Sequence, residues 1–211
     1  MSAVEDYLHA RYNMYRNVYF HRVVRSAEGM VKLALQRAKR LAVQDRLAWP
    51  TRDNGVYKAL LGQRLTMGEF VDLDDVAVNH CFKIWARGDD EVLARLCRGL
   101  LFRGLYKTVE LSHVRDGAEA KRRHERATEA VERAGGDGGY DLFYDEAGET
   151  PYETFEERAE EAVGIVVKAA EGDVRDLAEI SPLPRALNQR LMFRRIHVSA
   201  QYRDVVANAM R

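Results

Sequence analysis

The chain has 211 residues, 46% of them hydrophobic and 31% charged, which is typical of a soluble globular protein with room for a core. Basic and acidic residues are equal at 33 each, so net charge gives no indication of nucleic-acid binding. The two cysteines form no CxxC pair, no apolar run is long enough to cross a bilayer and no signal peptide is recognisable, so we expect a cytoplasmic protein.

Charge is distributed unevenly along this balanced chain. Residues 1–46 contain nine bases and four acids, residues 137–180 three bases and fourteen acids, and residues 181–211 six bases and one acid. The basic ends can meet the acidic middle of the chain or an anionic ligand. A set of solvated helix faces would produce the same pattern, and composition does not separate these interpretations.

The first predicted element is a long helix over residues 3–47. Apolar and tyrosine side chains recur there at steps of three and four, namely Val4, Leu8, Tyr12, Tyr15, Tyr19, Val23, Ala27, Met30, Ala34, Ala38 and Leu41. A helix of this length is unusual in a globular protein. We therefore expect a kink near Gly29 or a break near Leu41.

Shorter helices are predicted in the middle of the chain. Turn residues at 49–55 precede a short helix at 56–61. Asp72 or Asp74 can cap a helix that continues to Trp85, and the Gly88–Asp90 turn caps a helix that ends near Gly104. The charge-rich residues 115–134 predict a solvent-exposed helix.

A glycine-rich segment at residues 135–139 separates this helical region from a different pattern. Strands are predicted at 140–144, 164–170 and 194–199, and helices at 154–162, 185–193 and 201–210. The sequence thus predicts a mainly α protein with a helical region at 1–134, a linker at 135–139 and a small α+β subdomain at 140–211.

No motif of a self-sufficient active site is present. The histidines are His9, His21, His80, His113, His124 and His197. None is followed by Asp or belongs to an HxxxH or HxxEH pair, so we assign no metal ligand. The chain has no phosphate loop of the GxxxxGK[ST] type and no GxSxG elbow, so we assign no catalytic residue either.

The first helix carries a possible binding face. Arg11, Tyr15, Tyr19 and Arg22 follow one another at steps of four, four and three, which places them on one side of a continuous helix. Arginine forks match phosphate oxygens, and tyrosine rings offer a flat surface to a sugar or base. Tyrosines at this spacing are also typical of a core with arginines reaching outward, and spacing alone favours that interpretation.

Three blocks of the sequence form recognisable motifs. The first is AVEDYLHARYNMYRNVYFHRVVRSAEGMV at residues 3–31, with its ARYxMYxxVYFH pattern. The second is LDDVAVNHCFKIWARGDDEVLARLCRGLLFRGLYKTVE at residues 73–110, and the third comprises GIVVKAA and RRIHVSAQYRDVV. In this order, the three blocks resemble HD-domain phosphohydrolases of the SAM-and-HD-domain dNTP triphosphohydrolase branch. The resemblance implies the helical-bundle portion of an HD-type fold followed by an α+β portion.

The resemblance also implies roles for individual residues. Arg11 matches the arginine that contacts the substrate triphosphate, Tyr19 the tyrosine on the deoxyribose, and Tyr15 a residue near the substrate. His21, Arg22, Arg103 and Lys107 match residues of an allosteric nucleotide site. Arg103 and Lys107 are four residues apart, so we expect them to share a helix face and grip phosphates together.

One departure from the family decides the expected activity. The family's metal-binding His, His-Asp and Asp residues lie upstream of the ARYxMY helix, and no position of this chain matches them. We therefore expect a C-terminal portion of a Mn- or Mg-dependent phosphohydrolase that contacts dNTPs or GTP but is inactive without an HD-bearing half. We also expect a homo-oligomer, with no membrane or specific nucleic-acid partner. The alternatives are a non-catalytic nucleotide-sensing or oligomerisation module and a structural helical interaction protein.

Overall fold

The computed structural model describes residues 2–49, 55–111, 114, 116–150, 164–168, 174–187 and 191–210. Its helices are α1 (Ser2–Met14), α2 (Arg22–Val43), α3 (Gly55–Leu60), α4 (Met67–Val71), α5 (Asp75–Trp85), α6 (Glu91–Leu101), α7 (Gly117–Arg133), α8 (Leu177–Ile180), α9 (Pro182–Leu187) and α10 (Arg203–Ala209). Its strands are β1 (Lys107–Glu110), β2 (Leu142–Glu149), β3 (Val166–Lys168), β4 (Val174–Asp176) and β5 (Leu191–Val198). The predicted fold class, mainly α with a small α+β part, is confirmed.

The strands form two small sheets. One sheet has three strands in the order β1-β5-β2, and the other pairs β3 with β4 in antiparallel register, with Val167 opposite Arg175. Strands were expected at 140–144 and 194–199. β2 overlaps the first range but begins at Leu142 and continues to Glu149, and β5 overlaps the second but begins at Leu191 and ends at Val198. The helix expected at 185–193 is wrong in its bounds, because α9 begins earlier, at Pro182, and ends at Leu187, and β5 begins at Leu191. The helix expected at 154–162 lies outside the described residues.

The predicted long helix is interrupted, but not where glycine suggested. α1 ends at Met14, a π-helical turn covers Tyr15–Tyr19, and α2 begins at Arg22. The expectation of a kink near Gly29 is wrong, since α2 runs unbroken through that residue. Gly29 instead makes room for an aromatic ring, because a Cβ there would lie 2.0 Å from Cζ of Phe143. The end of α2 at Val43 agrees with the expected break near Leu41.

Contacts divide the chain into two units. Unit 1 comprises Met1–Arg25, Glu110–Arg115 and Asp145–Arg195, and unit 2 comprises Ser26–Val109, Asp116–Tyr144 and Ile196–Arg211. The division into 1–134 and 140–211 follows composition instead, and it stays a prediction about folding domains. Within unit 2, the first glycines of the glycine-rich segment terminate α7. Gly135 has a φ of 84°, and the Gly136 amide donates to the Val131 carbonyl.

The core of unit 2 is built by α2, α5 and α6. Met30, Trp85 and Leu96 are among its fully buried side chains, and the indole of Trp85 donates to the carbonyl of Ala48 at 3.0 Å. Cys81 and Cys97 are both free thiols within this core, as expected. Aspartates cap the two later helices because their carboxylates accept the otherwise unpaired amides of the first turn.

The capping aspartates are those that the sequence predicts. Asp74 accepts the amide of Ala77 at 2.8 Å at the start of α5, and Asp90 accepts the amide of Leu93 at 2.9 Å at the start of α6. α6 then ends at Leu101, three residues before the expected end at Gly104. That difference matters for the candidate site, because Arg103 follows the helix instead of belonging to it.

Unit 1 has a smaller core of its own. Leu8 of α1 packs with Leu177 and Ala178 of α8, and Val4, Ile165, Val167 and Leu187 lie around them. The Ser181 hydroxyl, which precedes α9, donates to the Glu5 carboxylate. These contacts anchor α1 within unit 1 and so support the residues at its C-terminal end.

Candidate functional site

An arginine and two tyrosines meet where α1 passes into the π-helical turn. The guanidinium carbon of Arg11 lies 4.9 Å from the ring centroid of Tyr15, within range of a cation–π interaction. The rings of Tyr15 and Tyr19 lie 5.2 Å apart and are tilted by 48°. We call Arg11, Tyr15 and Tyr19 the arginine–tyrosine cluster. The structure thus brings together the three residues that were expected to contact substrate.

The π-helical turn determines how this cluster is arranged. The Phe20 amide donates to the Tyr15 carbonyl at 2.8 Å, a hydrogen bond that spans five residues instead of four. Single π-turns inside helices occur frequently at functional sites. Tyr19, at the end of the turn, keeps 49% of its surface exposed, so its ring is available to a ligand.

Arg11 forms a long ion pair with an acidic neighbour, Glu149. Its Nη2 lies 3.7 Å from Oε1 of Glu149, and the two side chains are 33% and 37% exposed. An ion pair of this length and exposure contributes at most about 1 kcal/mol. An anionic ligand with better geometry can therefore replace Glu149 at low cost.

Aromatic rings support the cluster from behind. Phe20 is buried, and its ring lies 5.7 Å from that of Tyr15 and 5.7 Å from that of Phe193. Aromatic pairs at these distances stabilise a defined ring orientation. The cluster is therefore a surface feature with a fixed apolar backing within unit 1.

His21 and Arg22 lie at the helix break and not on a continuous helical face. His21 is exposed, and its Nδ1 accepts the Val23 amide at 3.3 Å. Arg22 is exposed at the start of α2. The expectation that Arg22 shares one helix face with Arg11 is wrong, because the π-turn and the break between Tyr19 and Arg22 change the rotation from one helix to the next.

Arg103 and Lys107 do not share a helix face either. α6 ends at Leu101, Arg103 occupies the following turn with a φ of 59°, and Lys107 opens β1. Both side chains are exposed, and both belong to unit 2. Sequence spacing misled here because the turn interrupts the helix between them.

The described histidines do not form a metal site. Within the described ranges, no group of three or more His, Cys, Asp or Glu residues is placed to hold an ion. His197 is fully buried against the Phe143 ring at 4.9 Å, and burial lowers the pKa of His124. His113 lies outside the described residues. We therefore derive no catalytic step through a metal ion.

Charged residues near the π-turn escaped the sequence analysis. Arg195, in β5, is 5% exposed, and its Nη1 donates to the Phe20 carbonyl at 2.6 Å. Arg25, in the first turn of α2, donates its Nε to both oxygens of buried Asp145, at 3.0 and 3.2 Å. In the sequence, Arg195 is simply a charged residue beside the apolar residues of β5. The sequence alone does not show whether such an arginine is buried or faces solvent.

Comparisons with known proteins indicate the fold. No family model matches the chain. An uncharacterised protein of Bacillus subtilis, YwfO, is 30% identical over 189 residues, which is 89% of this chain but 42% of YwfO.

Among the described residues, no helix is long and apolar enough to span a membrane.

Two solved structures are similar in three dimensions. A phosphohydrolase of Bacteroides thetaiotaomicron matches 92% of this chain with a TM-score of 0.71 and 21% identity. A hypothetical protein of Aquifex aeolicus matches 100% of it with a TM-score of 0.61 and 20% identity. The chain spans 49% and 45% of those two proteins, so it has the fold of about half of each of them.

Proposed function

We propose that the chain is the substrate-binding portion of a nucleotide phosphohydrolase and that it binds (deoxy)nucleoside triphosphates without hydrolysing them alone. The arginine–tyrosine cluster is the observation that carries this proposal. It combines a cation for phosphate with exposed aromatic surface, on a fold similar to that of a phosphohydrolase. The chain spans less than half the length of each of these three similar proteins. That it acts together with a second portion to hydrolyse nucleotides is therefore also proposed.

Each residue of the cluster has a distinct task in this proposal. Arg11 exchanges Glu149 for phosphate oxygens, which its planar fork can hold in pairs. Tyr19 offers its exposed ring to the sugar, and Tyr15 fixes the direction of both neighbours by contacting each of them. Nothing in this arrangement activates water.

The hydrolytic step is proposed to depend on residues outside the cluster. A divalent Mn or Mg ion would supply an activated water in this class of reaction. We propose that an HD-bearing half or chain provides its ligands, since the described residues do not. The part of this chain is to bind and orient the triphosphate.

We propose a second nucleotide site from the resemblance alone. His21, Arg22, Arg103 and Lys107 are all exposed, so each can reach an anionic ligand. Arg103 and Lys107 do not share a helix face, so helix geometry does not support this site. Its support is the resemblance of the four residues to an allosteric nucleotide site.

Exposed apolar side chains of α4 and α5 favour the alternative of an assembly module. Met67, Phe70 and Val71 of α4 and Val76 of α5 are 78%, 65%, 69% and 73% exposed. Exposed apolar patches often mark interaction surfaces. The expected homo-oligomer stays a proposal, and sedimentation of a Phe70→Asp variant beside the parent chain would test it.

Equilibrium binding of dGTP to the purified chain tests the proposal. We expect Arg11→Ala to weaken dGTP binding about tenfold to a hundredfold, since a charge-assisted hydrogen bond is worth about 1.5–3 kcal/mol. Tyr19→Ala should weaken it about tenfold. Arg16→Ala and Tyr7→Ala are matched controls on the same segment, because both side chains are exposed outside the cluster.

A hydrolysis assay with dGTP and Mn²⁺ tests the second half of the proposal. We expect no turnover by the chain alone. Turnover that disappears in Arg11→Ala would contradict the claim of inactivity, and absence of dGTP binding at millimolar concentration would leave the structural interaction protein as the better interpretation.

A further inference from the structure

The break between the two N-terminal helices leaves a backbone carbonyl that needs a partner. Carbonyls at the C-terminal end of a helical segment find no amide donor within that segment, and a buried one must be paired elsewhere. Phe20 directly follows the π-turn, and it is 9% exposed. Its carbonyl accepts a hydrogen bond from Nη1 of Arg195 at 2.6 Å.

Arg195 is itself held in a defined position. Its Nε lies 3.1 Å from each carboxylate oxygen of Glu110, and its guanidinium carbon lies 4.7 Å from the ring centroid of Phe193. The Glu110 side chain is 41% exposed, and an ion pair with this much solvent contact adds little net stability. The distinctive effect of Arg195 is therefore geometric, because it fixes one backbone atom at the break.

The other side of the break is held from β2. Arg25, in the first turn of α2, forms a paired hydrogen bond with Asp145, which is 5% exposed. Strand residues of unit 1 thus hold the end of the π-turn at Phe20 and the start of α2 at Arg25. Tyr19 lies directly before the first of these two points.

We propose that Arg195 is a positioning residue for nucleotide binding, acting on the arginine–tyrosine cluster through the Phe20 carbonyl. By holding that carbonyl it keeps the Phe20 amide bonded to the Tyr15 carbonyl and keeps the Phe20 ring behind Tyr15. Both contacts set the directions of Tyr15 and Tyr19. This inference rests on the proposed function, although Arg195 itself need not touch the ligand.

The test compares two ligands and two neighbouring arginines. Arg195→Met removes the donor but retains apolar volume, and Arg195→Lys retains a cation that can still reach a carbonyl. Arg194→Met is the matched control, because Arg194 donates to the Val114 carbonyl and to Glu146 instead of Phe20. Binding of dGTP, which needs Arg11 and Tyr19, is measured beside binding of inorganic tripolyphosphate, which needs Arg11 alone.

We expect Arg195→Met to weaken dGTP binding about tenfold while tripolyphosphate binding changes less than twofold. Arg195→Lys should recover part of the dGTP affinity, and Arg194→Met should change neither ligand. Thermal unfolding and the backbone amide NMR signals of residues 19–22 are recorded for every variant. If Arg195→Met does not fold, Arg195→Lys is compared with Arg194→Met instead. We then expect Arg195→Lys to bind dGTP at least threefold more weakly than the parent chain, and Arg194→Met to bind it equally well.

Two results overturn the inference, and they are distinguishable from failure of the proposed function. Equal dGTP affinity in the parent and in a folded Arg195 variant overturns it, as does an equal loss for both ligands. If the parent chain binds no dGTP, the proposed function and the binding role of Arg195 fail together. The amide signals of residues 19–22 then decide separately whether Arg195 holds the break.

Discussion

At the scale of single residues, charged side chains have partners that the sequence does not reveal. Asp90 caps α6 and also receives two hydrogen bonds from Arg37, from Nε at 3.0 Å and from Nη2 at 2.6 Å. These bonds from Arg37, together with the amide of Leu93, lower the pKa of Asp90 despite the opposing effect of burial. The ionised carboxylate therefore stabilises unit 2.

This pairing predicts a pH-dependent effect of Asp90→Asn. Asparagine keeps the helix cap but loses the charge, so we expect a loss of about 1–3 kcal/mol of unfolding free energy at pH 7. The contribution of a carboxylate with a depressed pKa is present above its unfolded pKa of about 3.9 and is lost as the pH falls through its folded value. Denaturant unfolding from pH 7 to pH 3 should show the two proteins converging, and a constant difference would contradict this assignment.

Arg103 illustrates a residue in a conformation that suits glycine better. Its φ of 59° places it in the left-handed region directly after α6, where a side chain costs about 1–2 kcal/mol. Relief of this strain by glycine is partly offset by the greater backbone entropy of glycine in the unfolded chain. We expect Arg103→Gly to raise the unfolding free energy by about 0.5–1 kcal/mol in urea denaturation. Arg103→Ala keeps the strained backbone and should show no such gain.

At the scale of elements, α2 depends on one absent side chain. Gly29 faces Phe143, whose ring also stacks on His197 at an interplanar angle of 20°. Periodicity identifies Gly29 as a weak point of the helix, whereas the fold uses it as a site of close packing. Gly68, in α4, differs, because a methyl group added there would have no heavy atom within 4 Å and so nothing to pack against.

The two glycines should therefore respond oppositely to the same substitution. Gly29→Ala places a methyl group within the Phe143 ring, and we expect a loss of about 1–3 kcal/mol even though alanine favours helix by about 1 kcal/mol. Gly68→Ala meets no neighbour and should gain about 0.5–1 kcal/mol. Thermal denaturation of both variants checks this, and a stabilised Gly29→Ala would show that the ring moves aside without cost.

At the scale of the whole molecule, the buried thiols and both tryptophans report on the same unit. Cys81, Cys97, Trp49 and Trp85 all belong to or pack against the core of unit 2. Burial raises the pKa of the Cys97 thiol to about 12, so the reactive thiolate is scarce near neutral pH. Labelling therefore requires that this core open.

We expect thiol labelling by iodoacetamide at pH 8 to follow the unfolding of unit 2. In a urea series, the labelled fraction and the tryptophan fluorescence should change at the same midpoint, since both report one core. Labelling in 6 M guanidinium is the control for full access. Rapid labelling of the native chain before any fluorescence change would contradict the burial of Cys97.

The resemblance stated from motifs agrees with the fold at a coarse level. The sequence places α5, α6, α7 and β5 within a few residues of their positions in the structure. The substrate roles of the arginine–tyrosine cluster were expected from the resemblance, whereas spacing alone favoured a tyrosine core. The helix on which that spacing was measured is interrupted. Arg195 and Asp145, which hold the interruption, were not identified, because their partners Phe20 and Arg25 lie 175 and 120 positions away along the chain.

The sequence by itself determined the helices whose apolar periodicity and aspartate caps agree, and the burial of both cysteines. These features depend on residues three or four positions apart, so local pattern is sufficient. Only the tertiary structure decided where the N-terminal helix breaks, since the Phe20 carbonyl is satisfied by Arg195, 175 positions along the chain. A contact of that range leaves no periodic trace, and the geometry of the candidate site depends on it.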